Sequence, residues 1–162
     1  MTSQELREAF EFLAETPRIV EEAAAGLTPD DLRWKPSEQE FSVLENVCHL
    51  RDIESEGYRV RIRRLLEEEH PFLPDLDGNR LAAERRYNTQ DARAGLAAFR
   101  RSREESLRDL SVVTPEQWDR SGTFETSGTI TLANLVAMMR EHDQAHRTEL
   151  ACLRERLQSR RP

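Results

Sequence analysis

The chain has 162 residues and a mass of 18.8 kDa, which is the size of one domain, residues 1–162. Its net charge of −7 argues against a nucleic-acid partner, because neutralising phosphates requires a basic surface. Leu, Ile, Val and Phe supply 36 residues, about 22% of the chain and only slightly above the level typical of disorder, so we expect one thin core in which each polar residue needs an explanation.

The N-terminal residues, MTSQELREAF, contain no apolar segment, and no uninterrupted apolar run is longer than Leu135–Met139. Signal peptides and transmembrane helices need longer apolar stretches, so we expect neither. We therefore predict a cytoplasmic protein without a membrane partner. The two cysteines, Cys48 and Cys152, have the spacing of neither a disulfide framework nor a zinc ribbon.

The first predicted helix runs from about Ser3 to Gly26, with apolar residues at the i, i+3, i+4 and i+7 spacing of an amphipathic helix. Thr2 and Glu5 have the spacing of a capping box at its start. Pro17 lies inside this segment. We expect it to kink or split the helix, because proline lacks the N–H that an internal helical turn requires.

The second predicted helix begins at Ser42, again with an S-x-x-E pattern that includes Glu45, and continues to about Glu69. His70 follows immediately before a proline, and we interpret it as a surface or C-cap residue. The link that follows, His70–Gln90, is about 20 residues long, which is uncommon between antiparallel neighbours. Such a link suits a crossover connection in a helix bundle.

The third predicted helix, Asp91–Leu110, carries Arg103 at a position of its apolar stripe. Arg103 either pairs with a carboxylate or faces a cavity, where it would contact an anionic substrate group. The fourth helix starts with Thr131 as N-cap and reaches about Gln158, and residues 123–131 before it give only a weak strand signal. These elements predict an all-α fold, a four-helix bundle with a long crossover between helices two and three.

Three of the four histidines fall on predicted apolar helix faces. His142 and His146 are four residues apart, so both rings project from one face, in line with Met139 and Leu150. His49 lies among apolar residues of the second helix and is the natural third ligand. A shared metal ion would remove the cost of burying these imidazoles without partners. The spacing leaves two interpretations open, a metal site or satisfied core histidines in a structural bundle.

Four acidic residues are candidates for supporting these histidines: Glu45, Asp52, Asp143 and Glu149. Glu45 and Asp52 lie about one helical turn from His49, and Glu149 lies three residues after His146, so each could hold a ligand ring in place. The alternative for Glu45 is the capping box at the start of the helix. The alternative for the other three is a solvated surface charge.

Two motifs surround the histidines. The first is FSVLE at 41–45 followed by HLRDIE at 49–54, and the second is GTITLANL at 128–135 followed by HDQAH at 142–146. Together they resemble the DinB/YfiT-like metalloprotein family, in which Trp is usual where this chain has Phe41. The resemblance spans about Leu6 to Leu153, and its most specific part is the order of the three histidines.

The resemblance implies a bundle with an up-down-down-up course and one divalent metal, zinc or nickel, held by His49, His142 and His146. It also implies a homodimer. Relatives include transferases and isomerases that use a low-molecular-weight thiol such as mycothiol or bacillithiol as a cofactor, and others are described as hydrolases. The family name refers to induction by DNA damage and does not imply DNA binding.

Three neutral imidazoles leave a metal ion with its full charge and an open coordination position, which is the pattern of catalytic zinc. Such an ion would activate either a water molecule or a thiol, so the ligand chemistry leaves two reactions open. The first hypothesis is therefore a metal-dependent enzyme acting on a small molecule, either a thiol-dependent S-transferase or a hydrolase. The second is a metal-binding stress-response protein or dimeric scaffold without catalytic activity.

Overall fold

The structure is a computed structural model that describes residues 2–160. Its helices are α1 (Ser3–Ala24), α2 (Pro29–Arg33), α3 (Val43–Asp52), α4 (Arg59–Glu67), α5 (Gly78–Glu84), α6 (Ala92–Ser111) and α7 (Leu132–Ser159). A π-helical segment, Ile53–Tyr58, joins α3 to α4, and short 3-10 turns lie at Tyr87–Thr89 and Pro115–Asp119. Helix α1 packs against α6 and α7, and α3 packs against the same two helices. The predicted four-helix bundle is confirmed, with α3, the π-helical segment and α4 forming its second member.

Helix α1 runs through Pro17 as one helix, so the predicted split does not occur. Proline has no N–H to donate to the carbonyl oxygen four residues earlier, which belongs to Leu13. In the structure the Nη1 atom of Arg103 donates to this oxygen at 3.0 Å. A side chain of α6 thus replaces the donor that Pro17 lacks.

The second bundle helix starts as predicted, with the Ser42 side chain accepting from the N–H of Glu45 and the Glu45 carboxylate accepting from the N–H of Ser42. It departs from a regular α-helix at Ile53–Tyr58, where the backbone forms a π-helical turn. Its last residue is Glu67, slightly before the predicted end. His70 is exposed, in agreement with its interpretation as a surface residue.

Three short strands form a small sheet that the sequence indicated only weakly. They are β1 (Phe72–Leu73), β2 (Ser121–Phe124) and β3 (Gly128–Thr131). Strand β1 pairs with β2 in parallel, and β2 pairs with β3 as an antiparallel hairpin. Strands of two to four residues are too short to show a clear alternation of apolar and polar side chains. The sheet ties the crossover, which contains β1, to the hairpin that precedes α7.

The apolar core forms two main clusters, and the histidines lie between them along both helices. One cluster includes Ile53 and Met139, and the other includes Leu50 and Leu150. His49 is close to the boundary in α3, and the other two histidines lie between Met139 and Leu150 in α7. Within residues 2–160, no helix combines the length and the apolar character needed to cross a membrane.

Candidate metal centre

Three histidine rings from two helices meet in the middle of the bundle. His49 comes from α3, and His142 and His146 come from successive turns of α7. The Nε2 atoms of His49 and His142 are 3.0 Å apart. One nitrogen from each of the three rings lies within 4.8 Å of the others. The structure therefore brings together the three histidines that the sequence pattern selected.

Burial keeps two of the three imidazoles neutral. Burial, together with the positive charges that His146 and His142 would carry, lowers the pKa of His49 to about 3. Burial also lowers the pKa of His142, although the carboxylate of Asp143 opposes this shift. Neutral imidazole is the form that offers a lone pair to a metal ion, so His49 and His142 are ready to bind one at neutral pH.

Asn46 fixes the orientation of one ring. Its Oδ1 atom is 2.7 Å from Nδ1 of His146, and its Nδ2 atom donates to the carbonyl oxygen of Ser42 at 3.0 Å. Because the amide oxygen can only accept, Nδ1 of His146 carries the proton and Nε2 keeps a free lone pair. Sequence analysis missed this residue. The available signal was an asparagine between Val43 and Val47, on a helix face that is buried in the structure.

The residues present fit a divalent ion. Three imidazole nitrogens are a donor set that zinc and nickel both accept. A zinc–nitrogen bond is about 2.0–2.1 Å long, so two ligands of one ion lie no more than about 4 Å apart. The 3.0 Å between the Nε2 atoms of His49 and His142 meets this condition. A bond from Nε2 of each ring to an ion would also offset part of the cost of burying these two imidazoles, whose Nδ1 atoms have no partner within the described residues.

Glycine at position 78 lets the crossover contact a ring of the site. A Cβ atom on Gly78 would lie 2.4 Å from Cε1 and 2.7 Å from Nδ1 of His49. Both distances are far shorter than the about 3.5–4.0 Å at which carbon atoms pack favourably. Since Gly78 begins α5 behind the N-cap Asp77, the first turn of α5 rests directly on His49. Any side chain at this position would push the imidazole away.

Replacing Gly78 with alanine should therefore weaken zinc binding about 10- to 100-fold, the usual effect of disturbing the support of a ligand. Competition with a chromogenic chelator measures the affinity, and circular dichroism checks that the helices remain. Gly95→Ala is the matched control, because a Cβ atom there would contact Val47 at 3.0 Å and no histidine. An unchanged zinc affinity in Gly78→Ala would show that the contact does not position His49.

A cavity of about 590 Å³ opens over the three rings. The crossover and the β2–β3 hairpin supply a large part of its wall: Asp75, Leu76, Gly78, Asn79, Phe124, Thr126 and Ser127. The N–H of Asp75 donates to Glu125 at 2.9 Å, and the hydroxyl of Thr126 donates to Asp75 at 3.1 Å. These bonds hold the two segments together, so the long crossover serves as one wall of the cavity.

Glu45 and Asp52 hold the backbone around the site and do not contact the histidines. Glu45 completes the capping box, its predicted alternative role, and pairs with Lys35 at 3.0 Å. Asp52 is buried and accepts from Arg85 and from the hydroxyl of Tyr87, both at 2.7 Å. It is therefore neither a support for His49 nor a solvated surface charge. These bonds anchor the residues after α5, and so help to keep Gly78 against His49.

Arg103 lies behind the site and not on the cavity wall. Its guanidinium group donates to Asp143 at 2.6 Å and to Glu54 at 2.8 Å, and all three side chains are buried. Of its two predicted roles, pairing with a carboxylate is confirmed, and contact with a substrate anion does not fit this position. Asp143 is 3.9 Å from Nδ1 of His142, too far for a hydrogen bond, so it acts on that ring through its charge.

Glu149 is the acidic candidate that reaches both the histidines and the cavity. Its Oε2 atom is 3.5 Å from Nδ1 of His146, and it lines the cavity. Burial would raise the pKa of Glu149, but interactions with His146, Asn46 and the backbone of Phe41 outweigh it and lower this pKa. The carboxylate is consequently ionised at neutral pH. It faces the space in which a small molecule would approach the three rings.

Comparisons with known proteins agree with this fold. The model of the DinB superfamily matches residues 13–150. A search of curated proteins found no significant match. Among solved structures, YfiT from Bacillus subtilis, described as "a probable metal-dependent hydrolase with an unusual four-helix bundle topology", has a TM-score of 0.90 and 22% sequence identity, with 97% of this chain and 90% of that chain covered. Because the family model spans most of the sequence, this chain belongs to the DinB superfamily.

Proposed function

We propose that this protein is a divalent-metal-dependent hydrolase that acts on a small molecule. The observation that carries the proposal is the opening of a cavity of about 590 Å³ directly over all three histidines. A purely structural metal site has four protein ligands and no access. Here the metal-ligating group within the described residues contains three histidines and no fourth ligand. An open position facing a cavity of ligand size is the arrangement of a catalytic site.

A divalent ion held by three neutral imidazoles supplies Lewis acidity, which polarises a carbonyl group and acidifies a water molecule. The chain supplies the other requirements. Glu149 is ionised and lines the cavity beside His146, so it can accept a proton from an attacking water molecule. Apolar side chains including Phe41, Leu76 and Met138 line the same cavity and would displace bulk water from a bound substrate.

The description of YfiT as a probable metal-dependent hydrolase supports this choice. A thiol-dependent S-transferase is the second candidate, and the size of the cavity favours keeping it. About 590 Å³ exceeds what one small ester and a water molecule need, so a thiol cofactor and an electrophile could both enter. Zinc or nickel as the metal and a homodimer as the assembly remain predictions. A non-catalytic metal-binding scaffold is the outcome if no reaction is found.

Screening untagged, metal-loaded protein should identify a reaction. One panel contains p-nitrophenyl esters and small amides, and a second combines low-molecular-weight thiols with an electrophile such as monochlorobimane. We expect turnover in the first panel that disappears after chelation and in His49→Ala. Turnover in the second panel alone would replace the hydrolase with the transferase. Stoichiometric bound metal without turnover in either panel would favour the non-catalytic metal-binding scaffold.

Replacing Glu149 with glutamine should lower kcat on the active ester about 10²- to 10⁴-fold, the usual contribution of a general base. Metal content should remain unchanged, because Glu149 is not one of the three clustered ligands. Glu155→Gln is the matched control, since this residue lies on the exposed face of the same helix. Wild-type kcat in Glu149→Gln would exclude the proposed role of the carboxylate.

A further inference from the structure

Within the described residues, Arg61 is the only lysine or arginine that lines the cavity. It lies on α4, and only 5% of its side chain is exposed. Burying a guanidinium group costs free energy unless its charge and its hydrogen-bond donors are satisfied. The way in which this group is satisfied therefore indicates what the cavity binds.

The guanidinium group of Arg61 is held in place mainly by uncharged groups. Its Nε and Nη2 atoms donate to the carbonyl oxygen of Pro74 at 3.2 and 2.7 Å. Its Cζ atom lies over the ring of Phe124, 4.7 Å from the ring centroid. These contacts fix the orientation of the group without neutralising it. Arg103, also buried, differs in that it is paired with two buried carboxylates.

The acidic neighbour of Arg61 compensates its charge only in part. Asp75 is 3.4 Å away, which is long for an ion pair, and its side chain is 42% exposed. The oxygen nearest Arg61, Oδ1, also accepts from the N–H of Leu76 at 2.8 Å, and the other oxygen, Oδ2, accepts from the hydroxyl of Thr126 at 3.1 Å. Asp75 thus shares its charge among three donors, and the positive charge of Arg61 is left incompletely balanced.

One nitrogen of the guanidinium group is free to bind a ligand. The Nη1 atom has no hydrogen-bond partner among the described residues, and it retains some accessible surface. Gly57 helps to leave it uncovered, since a Cβ atom on that residue would lie 3.2 Å from Nη1. A glycine inside a helix costs about 1 kcal/mol relative to alanine. Access to Nη1 gives this glycine a role.

We propose that Arg61 binds a carboxylate group of the substrate. The inference rests on the proposed function, because it assigns a substrate class to the same cavity. Asp75 and Glu149 also line the cavity, so a singly charged carboxylate is favoured over a doubly charged phosphate, which these two residues would repel. The substrate is then a small carboxylic acid whose reacting bond lies over the histidines while its carboxylate contacts Nη1.

Binding of unreactive dicarboxylates tests this without any need for turnover. Metal-loaded protein is titrated by calorimetry with malonate, succinate, glutarate and adipate, and with the monocarboxylate of matching length. We expect at least one dicarboxylate to bind about tenfold or more tightly than its monocarboxylate, as one charge-assisted contact predicts. Arg61→Met should abolish this preference. Arg64→Met is the matched control, because Arg64 donates to the carbonyl oxygen of Phe72 in the same crossover but does not line the cavity.

A second variant keeps the test decisive if Arg61→Met fails to fold. Asp75→Asn removes the competing negative charge and should tighten dicarboxylate binding several-fold. Equal binding by wild type, Arg61→Met and Asp75→Asn would overturn the proposal, as would tighter binding of inorganic phosphate than of any dicarboxylate. Because no arm depends on catalysis, a negative result here is distinguishable from a failure to find hydrolysis.

Discussion

Replacing Arg103 with methionine should lower the free energy of unfolding by about 3–5 kcal/mol, the cost of leaving buried charges without their partner. Glu54 and Asp143 have fully buried side chains and both bind this guanidinium group. The carbonyl oxygen of Leu13 would lose its donor as well, because Pro17 has no N–H to donate to it. Urea unfolding followed by circular dichroism measures the change.

Arg100→Met is the matched control, because Arg100 is about one turn earlier on α6 and pairs with Glu21 at the exposed surface. Surface pairs contribute about 0–1 kcal/mol, so this variant should remain near the wild type. Adding Glu54→Gln and Asp143→Asn to Arg103→Met should recover part of the loss, since no uncompensated charge then remains buried. Similar unfolding free energies for the two single methionine variants would contradict the structural role given to Arg103.

Removing the metal should destabilise the protein, because an ion that binds only the folded state adds stability by mass action. At a free concentration 100-fold above Kd this amounts to about 2.7 kcal/mol. For a chain of this size we expect Tm to fall by about 5–10 °C when a chelator is added. Differential scanning calorimetry with zinc, with nickel and with chelator measures the shift.

The metal-dependent shift should disappear in His49→Ala and persist in His70→Ala. His70 is the fourth histidine, lies at the surface and is outside the cluster of three. Comparing shifts, and not absolute Tm values, separates metal binding from any change in packing caused by the substitutions. A Tm that the chelator leaves unchanged in the wild type would exclude a metal bound by the folded protein under those conditions.

Patterns among residues close in the sequence were sufficient to predict the four-helix bundle and the grouping of the three histidines. Capping residues such as Ser42 and Thr131 mark helix starts within a residue, since the cap is a contact between neighbours in the chain. The spacing of His142 and His146 likewise puts both rings on one helix face. Placing His49 with them needed only the assumption that apolar faces pack together.

The residues that shape the site could not be found in this way, because their partners are distant in the sequence. Asn46 contacts His146 across 100 positions. Gly78 is required by a ring of α3 that the crossover happens to cover. Arg61 lies in the arginine-rich stretch 59–64, and only the fold of residues 74–75 and the hairpin over it shows that its side chain is buried.

The π-helical turn between α3 and α4 determines which side chains after it face the cavity. A π turn contains one more residue than an α turn, and each residue of an α-helix rotates the next side chain by about 100°. Without the extra residue, Tyr58 and Arg61 would leave the cavity while His49, earlier in the helix, would stay in place. The turn thus rotates the side chains that follow it about the helix axis, relative to those that precede it. A one-residue insertion or deletion at 53–58 would therefore exchange the cavity-facing side chains that follow the turn and leave the three histidines in place.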